Sequence, residues 1–197
     1  MAVDPANNLV VLLDDSSDSS DNTNTPKDFK AWIEMAPVPK ASVAHGPGRG
    51  RGRGRGWPTR TYLPSNTRKK MHQLSTLVKA AAESSGFKRI PRGVPVQVSL
   101  WFYIRRPDED FVNRQRAEGR LKPNALENKT VVAVKPDIDN FAKFVLDSIT
   151  GVLYDDDAQV SILQMHKSRD NSGTCEGRIA IQVCACSRTA TAFLPNF

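Results

Sequence analysis

Two aspartates, Asp137 and Asp139, sit two residues apart in the run Lys135-Pro136-Asp137-Ile138-Asp139-Asn140, and Asp155-Asp156-Asp157 begins eighteen residues after the first of them. On an extended backbone the side chains at i and i+2 face the same way. Two carboxylates held that close ionise together comfortably only with a cation nearby. Hard oxygen donors at the end of a strand suit Mg²⁺, which takes one or two carboxylates and completes its shell with water and substrate phosphate. A third carboxylate is expected from Asp155–Asp157, if the intervening segment turns the chain back by a compact route. The pattern is weak taken singly. A D-x-D pair also occurs in surface turns and in nucleotidyl- and glycosyltransferases, and three consecutive Asp in a loop are usually just solvated.

The elements around these acids can be read from periodicity and breakers. Phe141–Ile149 is a short helix with Phe141, Phe144, Val145, Leu146 and Ile149 on its buried side, Asn140 as its cap and Gly151 as its stop. Val131–Val134 reads as a strand leading into the first pair of acids, and Val152-Leu153-Tyr154 as a return to the sheet. Val94–Ile104 is the clearest strand, with Val94, Val96, Val98, Leu100, Phe102 and Ile104 alternating with Pro95, Gln97, Ser99, Trp101 and Tyr103. Phe29–Met35 is a candidate first strand, and Val160–His166 with Arg178–Val183 reads as a hairpin across Asn171-Ser172-Gly173. A helix opens at Pro64-Ser65-Asn66-Thr67 with a capping residue, carries the stripe Met71, Leu74, Val78 and Ala81, and ends at Gly86. Its Lys69 and Lys70 are available to phosphates or to solvent. Residues 107–130 form a polar, basic loop with little periodicity.

The charge is unevenly spread. The chain of 197 residues has a formal charge of +7, yet residues 1–25 hold five Asp and no Lys or Arg, and residues 137–157 hold six Asp against one Lys. An acidic spot therefore sits inside a strongly basic body. Such a body is the footprint of a polyanion, and a divalent metal is the simplest way to reconcile the spot with that partner.

The termini and insertions carry weaker signals. Residues 1–27 read as a disordered acidic tail. Within it, Leu9–Leu13 followed by Asp14, Asp15, Asp18 and Asp21 among serines resembles a SUMO-interacting motif, which adds as a strand to a partner's sheet edge; a plain solvated tail is the alternative. The repeat at 47–56, with Arg49, Arg51, Arg53 and Arg55 between glycines, cannot pack a core; it suits loose nucleic-acid contact or serves as a linker. Residues 188–197 carry no clear signal. Cys175, Cys184 and Cys186 match no zinc spacing and read as free thiols of a reducing, intracellular compartment, with the nucleus favoured over an organelle. No apolar run approaches the roughly 18–20 residues a membrane span needs.

The stretch from Lys135 to Val160 closely resembles the RusA family of Holliday junction resolvases, which shows K-P-D-[ILV]-D-N-x-x-K-x-x-L-D-[AS]-L-x-G and then [VL]-x-x-D-D-x-Q-[VI]. A weaker match extends over Pro37–Lys40, Tyr62 to Val78 and Val94–Ile104, so that a domain at 28–187 can be laid on the family. The resemblance implies a small α/β (α+β) subunit with a mixed sheet packed with two helices. It also implies a homodimer, dependence on Mg²⁺ with Mn²⁺ as a substitute, and paired nicks across a four-way DNA junction. It puts the metal-binding acids on Asp137, Asp139 and Asp157, with Asp156 the adjacent Asp of the same element, and a required lysine on Lys143. Lys143 lies one helical turn past Asp139, where it can stabilise charge on the phosphate; an ion pair with Asp147 at i,i+4 is its competing role. Asn140 supports as a cap and an orienting group, and Asp155 and Asp147 take incidental roles. A binding protein that kept the fold without the activity, and a D-x-D transferase, are the competing readings. Asp137, Asp139, Lys143 and Asp157 speak against the former, and the basic body against the latter.

Overall fold

The computed structural model describes residues 9–11, 28–40, 44–46, 60–114, 120–127, 132–171 and 176–186. The strands are β1 (Leu9–Val11), β2 (Phe29–Ile33), β3 (Ala44–Gly46), β4 (Arg60–Tyr62), β5 (Val96–Ile104), β6 (Val160–Arg169) and β7 (Arg178–Ala185), and the helices are α1 (Ser65–Ser85), α2 (Pro123–Glu127) and α3 (Ile138–Ile149). The mixed α+β architecture matches the expected class. Five strands form one sheet in the order β1-β2-β7-β5-β6, while β3 and β4 pair separately.

The alternation in β5 works as read. Val96, Val98, Leu100 and Phe102 are buried toward α1 and α3 with Phe29, Ala31 and Ile33 of β2 and Ile179, Ile181 and Val183 of β7. Trp101 and Tyr103 project to the opposite side, which no described helix covers. α1 buries Leu74, Val78 and Ala81 as its stripe predicted, and Gly86 ends it in the left-handed region at φ 67°, where Phe87 N–H reaches Ala82 O at 2.9 Å. Its N-cap position is Pro64, however, and no side chain caps it. α3 begins three residues earlier than expected, so Asp137 holds the N-cap position and Asn140 lies in the first turn, where its carbonyl accepts from Lys40 N–H at 2.9 Å.

The expected β6–β7 hairpin does not form. β5 lies between the two, parallel to β6 and antiparallel to β7. The reason is burial: β5 has an apolar face and takes a partner on both edges, β7 on one and β6 on the other. The link from β5 to β6 is thus a parallel crossover through α3, which requires the helix to run against the strands. Val132–Val134 is not a strand, because Lys167 Nζ takes the Val134 carbonyl at 2.7 Å in place of a neighbouring strand.

Part of the 107–130 loop is built rather than loose. It contains two 3-10 turns and α2, and it is pinned by Arg106, which is fully buried. The guanidinium pairs with Asp110 at 2.9 Å, donates to Ala125 O at 2.9 Å and to Asp170 O at 3.0 Å, and also bonds Asn171. Leu9–Val11, expected in a structureless tail, pairs antiparallel with β2 from Leu9–Ile33 to Val11–Ala31. The β-prone residues there complete an otherwise open edge of the protein's own sheet. Cys184 and Cys186 are free thiols, the former pushed up by burial. No described helix is long and apolar enough to cross a membrane. Arg49, Arg51, Arg53, Arg55, Cys175 and residues 188–197 lie outside the described residues.

Candidate metal centre and active site

Asp137 and Asp139 stand together at the N-terminal end of α3. Asp137 is exposed with extended backbone angles, φ −70° and ψ 148°, and its carboxylate caps none of the helix's N–H groups. Asp139 lies in the first turn of the helix, where a negative charge is favoured by the helix end. Lys143, one turn on, forms an ion pair with Asp139 at 2.9 Å, and its hydrogen bond holds the Asp139 carboxyl below the usual carboxylate range. Lys143 therefore belongs to the Asp139 side of the helix. Asp147, its other possible partner, is taken by an ion pair with Lys40.

Lys167 fixes the approach to this pair. From the distal half of β6 its ammonium donates to Val134 O at 2.7 Å and to Pro136 O at 3.1 Å. It thereby ties the segment just before Asp137 to the sheet. The sequence gives no sign of this, because the acceptors are backbone carbonyls thirty residues away.

The second acidic cluster is organised by Gln159. Its side-chain oxygen accepts the N–H groups of Asp155 at 3.0 Å and Asp156 at 2.9 Å, while its amide nitrogen donates to Pro91 O at 2.8 Å and Val94 O at 2.9 Å. Asp156 caps the 3-10 turn Asp157–Gln159, its carboxylate accepting Ala158 N–H at 3.0 Å. That bond, with support from Asp157 and Arg92, holds the Asp156 carboxyl below its ordinary value. Asp155 is consumed by structure: Arg89 Nε meets it at 3.0 Å and Arg92 N–H at 2.9 Å. Asp157 is the exposed member of the three. The site reading named Asp156 and Asp157 but missed Gln159, whose only mark was its place in the D-D-x-Q element.

The two clusters do not meet within one chain. α3 has 12 residues, which at 1.5 Å per residue separates its ends by about 18 Å. Asp137 lies beside Lys167, near the end of β6. Asp157 lies at the start of β6, where Val160 pairs with Val96. Among the described residues, no three His, Cys, Asp or Glu side chains gather into a metal-holding group. The expectation that the helix would return Asp155–Asp157 to the first pair is therefore corrected: a crossover helix runs against its strands and delivers the chain to the opposite end of the sheet. Lys69 and Lys70 lie early in α1, Lys69 exposed, and no hydrogen bond or ion pair among the described residues links them to either cluster.

The donor set of Asp137 and Asp139 fits a hard divalent cation in kind: two exposed carboxylates, which Mg²⁺ would complete with water and phosphate oxygens. Paired acids at the head of a crossover helix, set in a basic α+β body, are compatible with metal-assisted chemistry on a polyanion. The family model described as endodeoxyribonuclease RusA matches residues 44–183, well over half of the chain. The protein belongs to the RusA family, a family of nucleases that act on Holliday junctions and generally use divalent metal. No curated protein matches the chain closely enough to count as a relative.

Proposed function

We propose that the protein is a Mg²⁺-dependent endonuclease that resolves four-way DNA junctions by paired nicks, in recombination and repair. In this reading it works as a homodimer whose two sites are each shared between copies. Asp137, Asp139 and Lys143 come from one copy; Asp157, with Asp156 beside it, comes from the other. The observation that carries this reading is the separation of the two acidic clusters along α3, combined with the open edge of β6.

Among the described residues β6 is the last strand of the sheet, and Ile162 and Leu163 on it are exposed at 37% and 38%. An unpaired, partly apolar edge is a template for another strand. Pairing β6 with its copy antiparallel about a two-fold axis is isologous and closed. It sets the start of one β6 beside the end of the other, and so brings Asp157 of one copy toward the Lys167 end of its partner, where Asp137 and Asp139 are held.

The chemistry that Mg²⁺ or Mn²⁺ supplies when bound is a water of lowered pKa and positive charge against the scissile phosphate. Asp137 and Asp139 position that charge. Lys143, released from Asp139 as the phosphate arrives, stabilises the charge that builds on the phosphate oxygens. Lys167 and Gln159 keep the two acidic segments in place. Arg49, Arg51, Arg53, Arg55, Lys69 and Lys70 contribute phosphate contacts that weaken with salt. The Leu9–Leu13 segment remains a candidate SUMO ligand, and a nuclear setting goes with it. Since Leu9–Val11 is paired with β2 here, such a partner has to compete with the protein's own sheet edge.

The test is cleavage of a synthetic four-way junction beside a linear duplex of the same sequence, with and without Mg²⁺. Symmetric nicks in the junction that require the metal are expected. Cutting of both substrates at equal rates, or metal-independent cutting, sinks the reading.

A further inference from the structure

The side of the sheet facing away from α1 and α3 carries an aromatic slot with a small floor. One cross-strand row runs Trp32 on β2, Ala180 on β7, Trp101 on β5 and His166 on β6. Two large rings are thus rooted on either side of an alanine. They are two strand spacings apart, about 9.5 Å. A flat ring stacked on both sides needs two contacts of about 3.5 Å, roughly 7 Å in all, so the walls need only lean inward. The cavity between them has a volume of about 260 Å³ and is lined by Lys30, Trp32, Trp101, Tyr103, Ala180 and Gln182, with the backbone of the neighbouring residues.

The walls are braced by neighbouring side chains, Trp101 by one on β6 outside it and Trp32 by one that reaches it from β5 across β7. Trp101 is backed by the His166 ring, nearly parallel at 9° with centroids 5.8 Å apart. Trp32 is backed by Tyr103, 5.2 Å away, and the Arg178 guanidinium lies over both rings at 4.4 and 5.0 Å. Arg178 is itself held by the fully buried Asp170 at 3.4 Å. The slot is therefore set before any ligand arrives. Lys30 and Arg178 border it, and none of its lining residues is acidic.

We infer that this slot takes one unpaired base of a DNA strand, stacked between Trp101 and the Trp32–Tyr103 wall, with Gln182 toward the base edge and Lys30 toward the phosphate. The shape asks for a flat π-system, since a drug-sized ligand needs a cavity of about 300 Å³ or more. The charge asks for an anion attached to it. A methylated cation also fits an aromatic cage, but no acidic residue lines this slot to balance its charge. Stacking on aromatic side chains in a basic groove is how single strands are held without sequence preference. The slot lies on the sheet face opposite α3. It holds DNA separately from the carboxylates, and it stands whether or not those carboxylates cut.

The experiment uses a single-stranded thymine oligonucleotide with one central 2-aminopurine, without metal and with chelator present, so that no cleavage enters. Wild-type protein is expected to quench the 2-aminopurine on binding and to bind a matched strand with an abasic centre more weakly. Ala180→Leu, which fills the floor, and Trp101→Ala, which removes one wall, are each expected to lose the quench and to weaken binding at least about fivefold. Circular dichroism and melting confirm that each is folded. Wild-type quenching in a folded variant of either kind, or equal affinity for the abasic strand, overturns the assignment.

Discussion

Lys143 and Asp139 form a 2.9 Å ion pair across one turn of α3, with their side chains 59% and 55% exposed. An exposed i,i+4 pair adds little to stability. Replacing the lysine therefore reports on chemistry rather than folding. Lys143→Met is expected to leave the urea midpoint nearly unchanged and junction binding largely intact. Cleavage should fall by about 10²–10³, the loss typical of a group that stabilises transition-state charge. A variant that cuts at the wild-type rate makes the pair an ordinary helix contact.

The shared-site reading predicts complementation. Asp137→Asn and Asp157→Asn are each expected to abolish junction cleavage as homodimers while preserving binding. In a mixed dimer with shared sites, one site carries both substitutions and the other is wholly wild type. Refolding or co-expressing the two variants together should therefore restore nicking of one strand, at about half the wild-type rate per dimer or less. If each site belongs to one chain, both sites of the mixed dimer are dead and mixing restores nothing.

Gln159, which is buried, supports the second acidic cluster through four hydrogen bonds of its amide, two accepted from Asp155 and Asp156 and two donated to Pro91 and Val94. Gln159→Leu keeps the volume and leaves two N–H groups and two carbonyls to find new partners. Each unsatisfied buried group costs about 1–3 kcal/mol, and partial access to water lowers the total. A loss of about 2–4 kcal/mol in urea unfolding is expected, with cleavage falling further than binding. Gln159→Glu keeps the acceptor and loses the donors, so it should cost less than Gln159→Leu. Equal stability of all three proteins excludes the clamp.

Local pattern made much of this molecule readable. The stripe of α1, the left-handed stop at Gly86 and the alternation in β5 each follow from neighbours within a few residues. Asp137 and Asp139 were expected on an extended backbone that turns both carboxylates one way; the structure puts Asp137 at the N-cap and Asp139 inside the first turn of α3, so only their nearness at one helix end was readable. What failed depended on distant partners. Asn171-Ser172-Gly173 looks the same whether the strands it joins pair directly or flank β5. The separation of Asp157 from Asp137 follows from the parallel β5–β6 pairing, which no local signal encodes. Lys167 and Gln159 were missed because they bind backbone atoms across 31 and 65–68 residues of sequence, and such acceptors have no residue identity to read. Arg106 was passed over as one of many basic residues, although it is fully buried.

Tyr154 offers a pH-dependent check of the packing around the C-terminal end of α3. Its side chain is fully buried, and its hydroxyl makes no hydrogen bond of good geometry; the nearby Thr150 hydroxyl gives its own proton to Leu146 O at 2.8 Å. Burial, opposed in part by Thr150 and aided by the smaller effects of the Asp157 and Asp147 charges, pushes the phenol from 10.0 up to about 12. The folded protein therefore keeps a proton that the unfolded chain releases above pH 10, so stability falls as pH rises through the window from 10 to 12. At pH 11 the loss from this group is about 1 kcal/mol. Tyr154→Phe removes a buried hydroxyl without a partner, so at pH 7 it should be at least as stable as wild type. Between pH 9 and 11 its urea midpoint should fall less than that of wild type, opening a gap of about 1 kcal/mol. Parallel pH profiles for the two proteins place the alkaline transition elsewhere, and a large loss for Tyr154→Phe at pH 7 means that the hydroxyl has a partner after all.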